Sequence, residues 1–331
     1  MYPLCQTHRQ VAKSKQSKKS KKKNKNLPVK ENSEENAVIH RKITCLLKAA
    51  RDLNILKSPD ITAEEWFENN YEAQKAAKEA LNLSNDISII PEYYYNNNSS
   101  STVLNCGTEK YVLPAESRFH LCDISSIITL KDKKYDLIVL DPPWENKSVR
   151  RRKKVYGTLC CESLTDLPIE DLCNPGCLIV MWVTNNTNQL NFIKEKVFPK
   201  WKIFNPVMWH WVKITHGGLL IHPIEWHHKK PYENLLLGYV SSSTENADSL
   251  SEKKIEPNKV IVSVPSSIHS HKPPLVEVLK PYIPQHPLCL ELFARYLLPG
   301  WTSLGNEVLK LQNIKMFEKN KLTLIPKVKF G

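Results

Sequence analysis

Apolar and polar positions divide the chain into a front part with helical spacing and a longer rear part where short apolar runs alternate with amphipathic ones. Over residues 36–56, Val38, Ile39, Ile43, Leu46, Leu47 and Leu53 recur at the intervals of one helix face. Thr62, with Glu65 three residues on, has the form of a capping box and opens a second helix through Trp66, Phe67 and Tyr71 toward Leu81. The Tyr-, Asn- and Ser-rich run 93–102 reads as a linker or exposed loop. From residue 119 the pattern changes. A short strand over 119–124 is followed by Leu137, Ile138, Val139 and Leu140, an unbroken apolar run that marks a strand covered on both faces of a parallel sheet. Pro142 and Pro143 must end it, because neither can donate to a ladder. Further helices are expected at 164–172, 188–197 and up to about residue 282. Further strands are expected at 176–184, 202–213, 233–240, 259–264 and 288–295. The polar run 241–258 has neither period and reads as a flexible insertion. Together these elements predict an α/β domain over 106–331, a helical extension over 36–105 and a tail over 1–35.

Composition agrees with a globular chain: 331 residues, 41% hydrophobic and 24% charged, are enough for one α/β domain plus an extension. No apolar run approaches the roughly 20 residues of a membrane span. The basic residues near the N-terminus are not followed by the apolar segment of a secretory signal. The formal net charge of +13 favours a polyanionic partner. Eight of the lysines fall within residues 13–25, a composition that stays disordered and suits nuclear import or contact with phosphates. The folded part is therefore much less basic than the total. Nine cysteines, an odd number without regular spacing, fit free thiols in a reducing compartment. Cys173 and Cys177, with Cys160 and Cys161, invite a zinc reading. However, Pro175 and Gly176 make a turn there and no second pair follows at a metal-site spacing, so no metal is expected.

The candidate chemistry sits at the end of the 137–140 run. Asp141 stands where a buried strand emerges, and ligands of open α/β sheets bind at the carboxyl ends of strands. The tetrapeptide Asp141, Pro142, Pro143, Trp144 suits work on a planar amine. The carboxylate accepts one amine hydrogen and the Pro142 carbonyl another, which makes the nitrogen lone pair nucleophilic, while Trp144 offers a flat face to a base. The plain structural alternative is a rigid turn capped by Asp141. Lys147, Arg150, Arg151, Arg152, Lys153 and Lys154 follow directly and read as a phosphate-gripping loop at the mouth of the site. Residues 221–233 include Trp226, His227, His228 and Lys229, the basic and aromatic mixture that stacks bases while holding a nucleic-acid backbone. Asp123 closes the preceding strand, where it could instead cap a helix. Lys272 stands at the start of a helix, where a lysine and free N–H groups can meet an anion.

From about residue 119 to about 307, with these motifs, the chain resembles the MT-A-type N6-adenine methyltransferases, which carry the same Asp-Pro-Pro-Trp tetrapeptide. It looks closest to the branch called methyltransferase-like protein four. The resemblance implies a Rossmann-like sheet with helices on both faces and S-adenosylmethionine as cofactor. It would place Asp123 and Ile124 on the adenine of the donor and Lys272 on its methionine carboxylate. Glu291, Arg295, Asn306 and Glu307 would line the ribose and adenosine, and Asp141 would face donor and acceptor alike. Tyr156 and Gly157 resemble part of the family's first substrate loop, and 221–233 its second. Catalytic strand before cofactor strand is also the family's order. Two departures stand out: Ala294-Arg295-Tyr296 replaces the Gly-x-Gly of commoner methyltransferases, and Leu297 stands where the messenger-RNA-methylating branch has a histidine on the ribose. The implied reaction is in-line methyl transfer to an adenine N6, with no metal. The implied substrate is RNA, an internal 2′-O-methyladenosine of U-two snRNA, giving N6,2′-O-dimethyladenosine in the nucleus by an enzyme active as a monomer. DNA methylation, and an inactive RNA-binding partner subunit, remain alternatives; the intact tetrapeptide argues against the second.

Overall fold

The computed structural model describes residues 31–56, 71, 75, 90–144, 161–224, 230–241, 254–268 and 271–317. Most of the expected tail, most of the helix opened by Thr62, the loop carrying Lys147, Arg150, Arg151, Arg152, Tyr156 and Gly157, the residues Trp226, His227, His228 and Lys229, and 242–253 lie outside the described residues.

Helix α1 is Glu31–Asp52, so it starts inside the span expected to be tail. The strands that follow are β1 Tyr93–Tyr95, β2 Thr102–Cys106, β3 Glu109–Leu113, β4 Arg118–His120, β5 Tyr135–Leu140, β6 Cys173–Val183, β7 Val207–Lys213, β8 Tyr232–Tyr239, β9 Val260–Ser263, β10 Cys289–Leu292 and β11 Trp301–Leu304. Nine of them form one sheet in the order β1-β4-β11-β10-β5-β6-β8-β7-β9, while β2 and β3 make a separate hairpin. The run β4, β11, β10, β5, β6 is parallel throughout, whereas β8 is antiparallel to both of its neighbours, β6 and β7.

β5 lies in the middle, and its alternation serves two cores. Ile138 and Leu140 join Ile179, Met181, Leu290 and Leu292 on one face, under Ile127, Leu164, Ile193, Val197 and Phe198. Leu137 and Val139 join Leu178, Val180, Trp182, Trp209 and Trp211 on the other, under Leu275 and Leu279. A strand sandwiched this way has no polar face, which is why its sequence lacks alternation. Each fully buried Leu or Ile adds roughly 1.5–3 kcal/mol. This is the doubly covered α/β sheet expected from the sequence.

Several elements differ from expectation, each for a local reason. Residues 93–102 are not a linker: Tyr93–Tyr95 is an edge strand antiparallel to β4, with Tyr94 stacked on Phe119 at 6.2 Å. The nine-stranded sheet thus begins within the span read as a helical extension. The strand expected over 119–124 ends at His120, and a 3-10 helix, Ile124–Leu130, takes over. The helix expected over 164–172 is split around Pro168 into Cys161–Thr165 and a 3-10 turn Glu170–Leu172, as a proline without an N–H requires. The strand expected from 202 starts at Val207, because Lys202 and Asn205 take positive φ in the turn before it. The end of the supposed insertion is packed: Ile255 is buried and the Glu256 carbonyl accepts the Trp209 indole N–H at 2.7 Å. None of the described helices is long and apolar enough to cross a membrane.

Candidate active site

The site forms at the carboxyl edge of the parallel strands. Asp141 follows the last residue of β5, and its N–H reaches the Leu292 carbonyl of β10 at 3.4 Å. Its carboxylate faces two cations. Arg295 Nη1 donates to Oδ2 at 3.3 Å, and Lys272 Nζ lies 3.6 Å from Oδ1. Burial pushes the Asp141 carboxyl above its ordinary range, while Lys272 and Arg295 pull against that.

The rest of the tetrapeptide is fixed around this carboxylate. The Trp144 N–H donates to the Pro142 carbonyl at 2.8 Å, so one of that oxygen's two lone pairs is taken, and among the described residues the other stays open. The indole N–H of Trp144 donates to the Trp182 carbonyl at 2.9 Å, tying the ring to the end of β6. Pro142 is buried and Pro143 half-buried.

Arg295 then carries the network across the sheet. Its Nε donates to Glu307 Oε2 at 3.3 Å, and Lys310 Nζ holds the other Glu307 oxygen at 2.6 Å. Next to Glu307, Asn306 Nδ2 donates to Asp123 Oδ2 at 3.2 Å. The cap read as the structural alternative for Asp123 is realised by one oxygen, and the other joins the network. Oδ1 caps the 3-10 helix by accepting the Ser125 N–H at 3.0 Å, and Oδ2 meets Asn306. These bonds, the Ser125 amide first, hold Asp123 below the usual carboxylate range. Ile124 opens that helix and packs on the core. Six expected residues, Asp141, Lys272, Arg295, Glu307, Asn306 and Asp123, thus lie along one line of contacts.

Glu291 is the seventh, and its environment differs. It is central in β10, paired with Val139 and Ser303, and its Oε2 has no hydrogen-bond partner among the described residues. Burial, with the negative Asp141 nearby, pushes its carboxyl up to about 8 against the pull of Arg295, so it is largely protonated at neutral pH. The turn after β10 explains the missing glycines. Phe293 takes φ +60°, a strained value for a bulky residue, and Ala294 N–H bonds to the Leu304 carbonyl at 3.1 Å. The glycine that allows this is Gly305, where a Cβ would meet the Ala294 oxygen at 2.9 Å. Leu297 is buried with Tyr111, Leu113 and Val308 and offers nothing polar to a ligand.

Lys272 is placed otherwise than expected. The nearby helix, Val276–Leu279, starts four residues later, so its amides do not share the lysine's anion. Lys272 instead sits over the Trp182 ring at 5.0 Å and pairs with Glu233, a residue absent from the expected set. Glu233 also bonds Lys213. Burial acts to raise Glu233, but the two lysines outweigh it and hold its carboxyl at about 2. Burial likewise works against charge on Lys272, and Asp141 and Glu233 overcome it, leaving the lysine above its ordinary value. An acid at the head of a strand, just after Lys229 and Lys230, was the available signal for Glu233. Its placement at this edge needs the antiparallel direction of β8, which puts Asn234 beside Val183 at the end of β6.

The same segment that builds this edge is shared with known proteins. A model of the MT-A70 family matches residues 135–307, more than half of the chain. The chain belongs to the MT-A70 family. Among its relatives, human N(6)-adenine-specific methyltransferase METTL4 is 49% identical over 221 residues, covering 65% of this chain and 46% of that protein. A Caenorhabditis elegans protein named DNA N6-methyl methyltransferase is 30% identical over 325 residues, 90% of this chain and 85% of its own length. The N6-methyladenosine RNA methyltransferase MTA1 of Pyricularia oryzae (strain 70-15) is 34% identical over 218 residues, 61% and 55% of the two chains. The chain spans just under half the length of the human and mouse METTL4 proteins it matches.

MT-A70 methyltransferases use S-adenosylmethionine as methyl donor, and this site fits it. The donor's methionine end carries a carboxylate, an ammonium and a sulfonium, and needs a cation and acids close together. Lys272, Arg295, Asp141 and the unpartnered Glu291 oxygen supply both. Lys272 has three N–H donors, of which Asp141 and Glu233 account for two.

Proposed function

We propose that this chain is an S-adenosylmethionine-dependent N6-adenine methyltransferase acting on nucleic acid, with RNA as its substrate. The observation that carries the reading is the position of Asp141, at the end of the central strand and in contact with both Lys272 and Arg295. Asp123 and Ile124 would hold the donor's adenine, Asn306, Glu307 and Arg295 its ribose, and Lys272 its carboxylate; Glu291, expected from the resemblance at the ribose and adenosine, lies close to Asp141 and would instead face the donor's charged end. Bound there, the donor supplies an electrophilic methyl on a positively charged sulfur. Asp141 and the free lone pair of the Pro142 carbonyl accept the two N6 hydrogens and turn the nitrogen lone pair outward. Trp144, anchored through its indole N–H, stacks on the acceptor base. Holding both reactants in this way is worth up to ~7–11 kcal/mol of barrier, without a strong base. An acceptor within a stack has to be flipped out to reach it.

Within RNA, the finer reading is an internal 2′-O-methyladenosine of U-two snRNA, modified in the nucleus by the chain acting as a monomer; it rests on the resemblance to the methyltransferase-like-four branch. The RNA reading is favoured by the name of MTA1, and a DNA reading by that of the C. elegans relative. Incubation with isotope-labelled donor and a panel of RNA and DNA oligonucleotides, with and without 2′-O-methylation, separates them by mass spectrometry of the modified base. No label on any adenine would sink the enzymatic reading.

Lys147, Arg150, Arg151, Arg152, Tyr156, Gly157, Trp226, His227, His228 and Lys229 are proposed to hold the acceptor strand. Replacing Arg150, Arg151 and Arg152 by Ala should weaken RNA binding and reduce the slope of log K against log salt by roughly 2, at ~0.7 per phosphate contact of a single strand. Titrations at several salt concentrations check it; an unchanged slope removes the loop from the phosphate path.

A further inference from the structure

The edge strand β1 and its neighbour β4 carry aromatic and basic side chains that the proposed chemistry does not use. Tyr93 and Tyr95 lie on one face of β1 and are 50% and 37% exposed. Tyr94 points the other way, onto the core around Phe119, so that core does not need the two outer rings. Across the strand pair, Tyr93 faces His120 and Tyr95 faces Arg118. The His120 ring lies 4.8 Å from that of Tyr93, and the Arg118 guanidinium sits 4.1 Å over the Tyr95 ring. Lys133, exposed in the turn before β5, completes the group. Burial first, and then Arg118, hold the Lys133 ammonium below its ordinary value; burial first, and then Lys133, do the same to His120. No acid acts on either group, and among the described residues Arg118 and Lys133 form no ion pair. Like charges thus gather here without a counter-charge, beside two exposed rings. In the sheet, β4 is separated from β5 by β11 and β10, roughly 14 Å at ~4.8 Å per strand. A short length of nucleic acid spans that distance to Asp141.

We propose that this face of β1 and β4 is a docking surface for single-stranded nucleic acid: bases flanking the acceptor adenine stack on Tyr93 and Tyr95, and their phosphates meet Arg118 and Lys133. This rests on the methyltransferase reading above and adds a second region of contact with the same substrate. Rings give stacking faces that every base can use, so docking here is indifferent to sequence. The unpaired cations supply the complementary charge for a phosphate backbone. Arg118, lying over Tyr95, holds that ring in place while keeping its charge. The competing occupant is a second copy of this chain paired along the open edge of β1. Two copies would bring the same uncompensated cations together, which opposes such pairing.

The test uses the full chain and a short oligoadenylate RNA carrying 2-aminopurine at successive positions. Fluorescence anisotropy reads affinity, 2-aminopurine quenching reads stacking, and calorimetry reads the S-adenosylmethionine Kd. Tyr93→Ala and Tyr95→Ala should each weaken RNA binding about fivefold or more, the lower end for one lost base stack, and lose quenching in step. Tyr93→Phe and Tyr95→Phe keep the rings and should bind as wild type does. Lys133→Ala should lower the slope of log K against log salt by ~0.7, one phosphate contact of a single strand. The donor Kd should stay within about twofold throughout, which also shows that the variants fold. Unchanged RNA affinity in both alanine variants overturns the proposal, as does a Phe variant as weak as its Ala counterpart. Should an alanine variant fail to fold, the exposed Lys133→Ala decides, and an unchanged salt slope overturns it. Light scattering that finds wild-type dimers dispersed by Tyr93→Ala assigns the face to a second copy and overturns it too. If the wild type methylates nothing but its RNA binding falls in these variants, the docking surface stands and the methyltransferase reading alone fails.

Discussion

Asp141→Asn should lower methyl transfer by about 10²- to 10³-fold, the range for losing one preorganised hydrogen-bonding group at the reacting atoms, while changing donor affinity far less. The reason lies in how the neighbouring charges are paired. Without the carboxylate, Lys272 still has Glu233 and Arg295 still has Glu307, so neither cation is left buried and alone. The amide is the same size as the acid, and Pro142 and Trp144 keep their own anchors. What is lost is specific: the Asn side chain presents an N–H where an acceptor is needed, or an uncharged oxygen that polarises an amine weakly. Single-turnover transfer with labelled donor, alongside calorimetric donor binding, separates the two effects. Turnover comparable to wild type would remove Asp141 from the chemistry, and a collapse of donor binding would make it chiefly a cofactor ligand.

Glu291→Gln should stabilise the donor-free protein at neutral pH and weaken its hold on the donor. A carboxyl raised from 4.5 to about 8 by folding binds a proton that the unfolded chain releases. Stability is therefore fully present below pH 4.5, falls as pH rises from there to about 8, and levels off beyond. At ~1.4 kcal/mol per pH unit, the loss at pH 7 is on the order of 3 kcal/mol. Glutamine has the same shape and no proton to lose, so the variant escapes this slope. Denaturant midpoints of both proteins between pH 5 and 8 should diverge as pH rises. Parallel curves would show that Glu291 does not titrate in that window. Donor affinity tests the second half: the positive charges of a bound donor favour the ionised form of Glu291, which glutamine cannot supply, so Kd should rise in the variant and lose part of its pH dependence.

The elements differ in how far their residues alone foretold them. β5 and its tetrapeptide were legible because everything that defines them is contiguous: an apolar run, then an acid, then two residues that cannot continue a ladder. Lys272, Arg295, Asn306 and Asp123 were legible only through the resemblance to a family, since nothing local to them reports a shared cleft. Tyr93–Tyr95 was misread because three aromatic residues among Asn and Ser make a strand only when β4 lies alongside to take their hydrogen bonds. Phe293 shows the converse, a glycine conformation adopted by a residue that no pattern would choose.

Chain order and local periodicity suffice to establish a parallel sheet buried on both faces, with an acid released at its central edge, because both follow from neighbours a few residues apart. Which charges meet there is another matter. Glu233 reaches Lys272 because β8 runs against β6, and Asn36 reaches Lys230 because α1 lies across the last strands. Coulomb and hydrogen-bond energies depend on separation in space, and residues nearly 200 positions apart acquire one only when the sheet closes its order and α1 seals its edge.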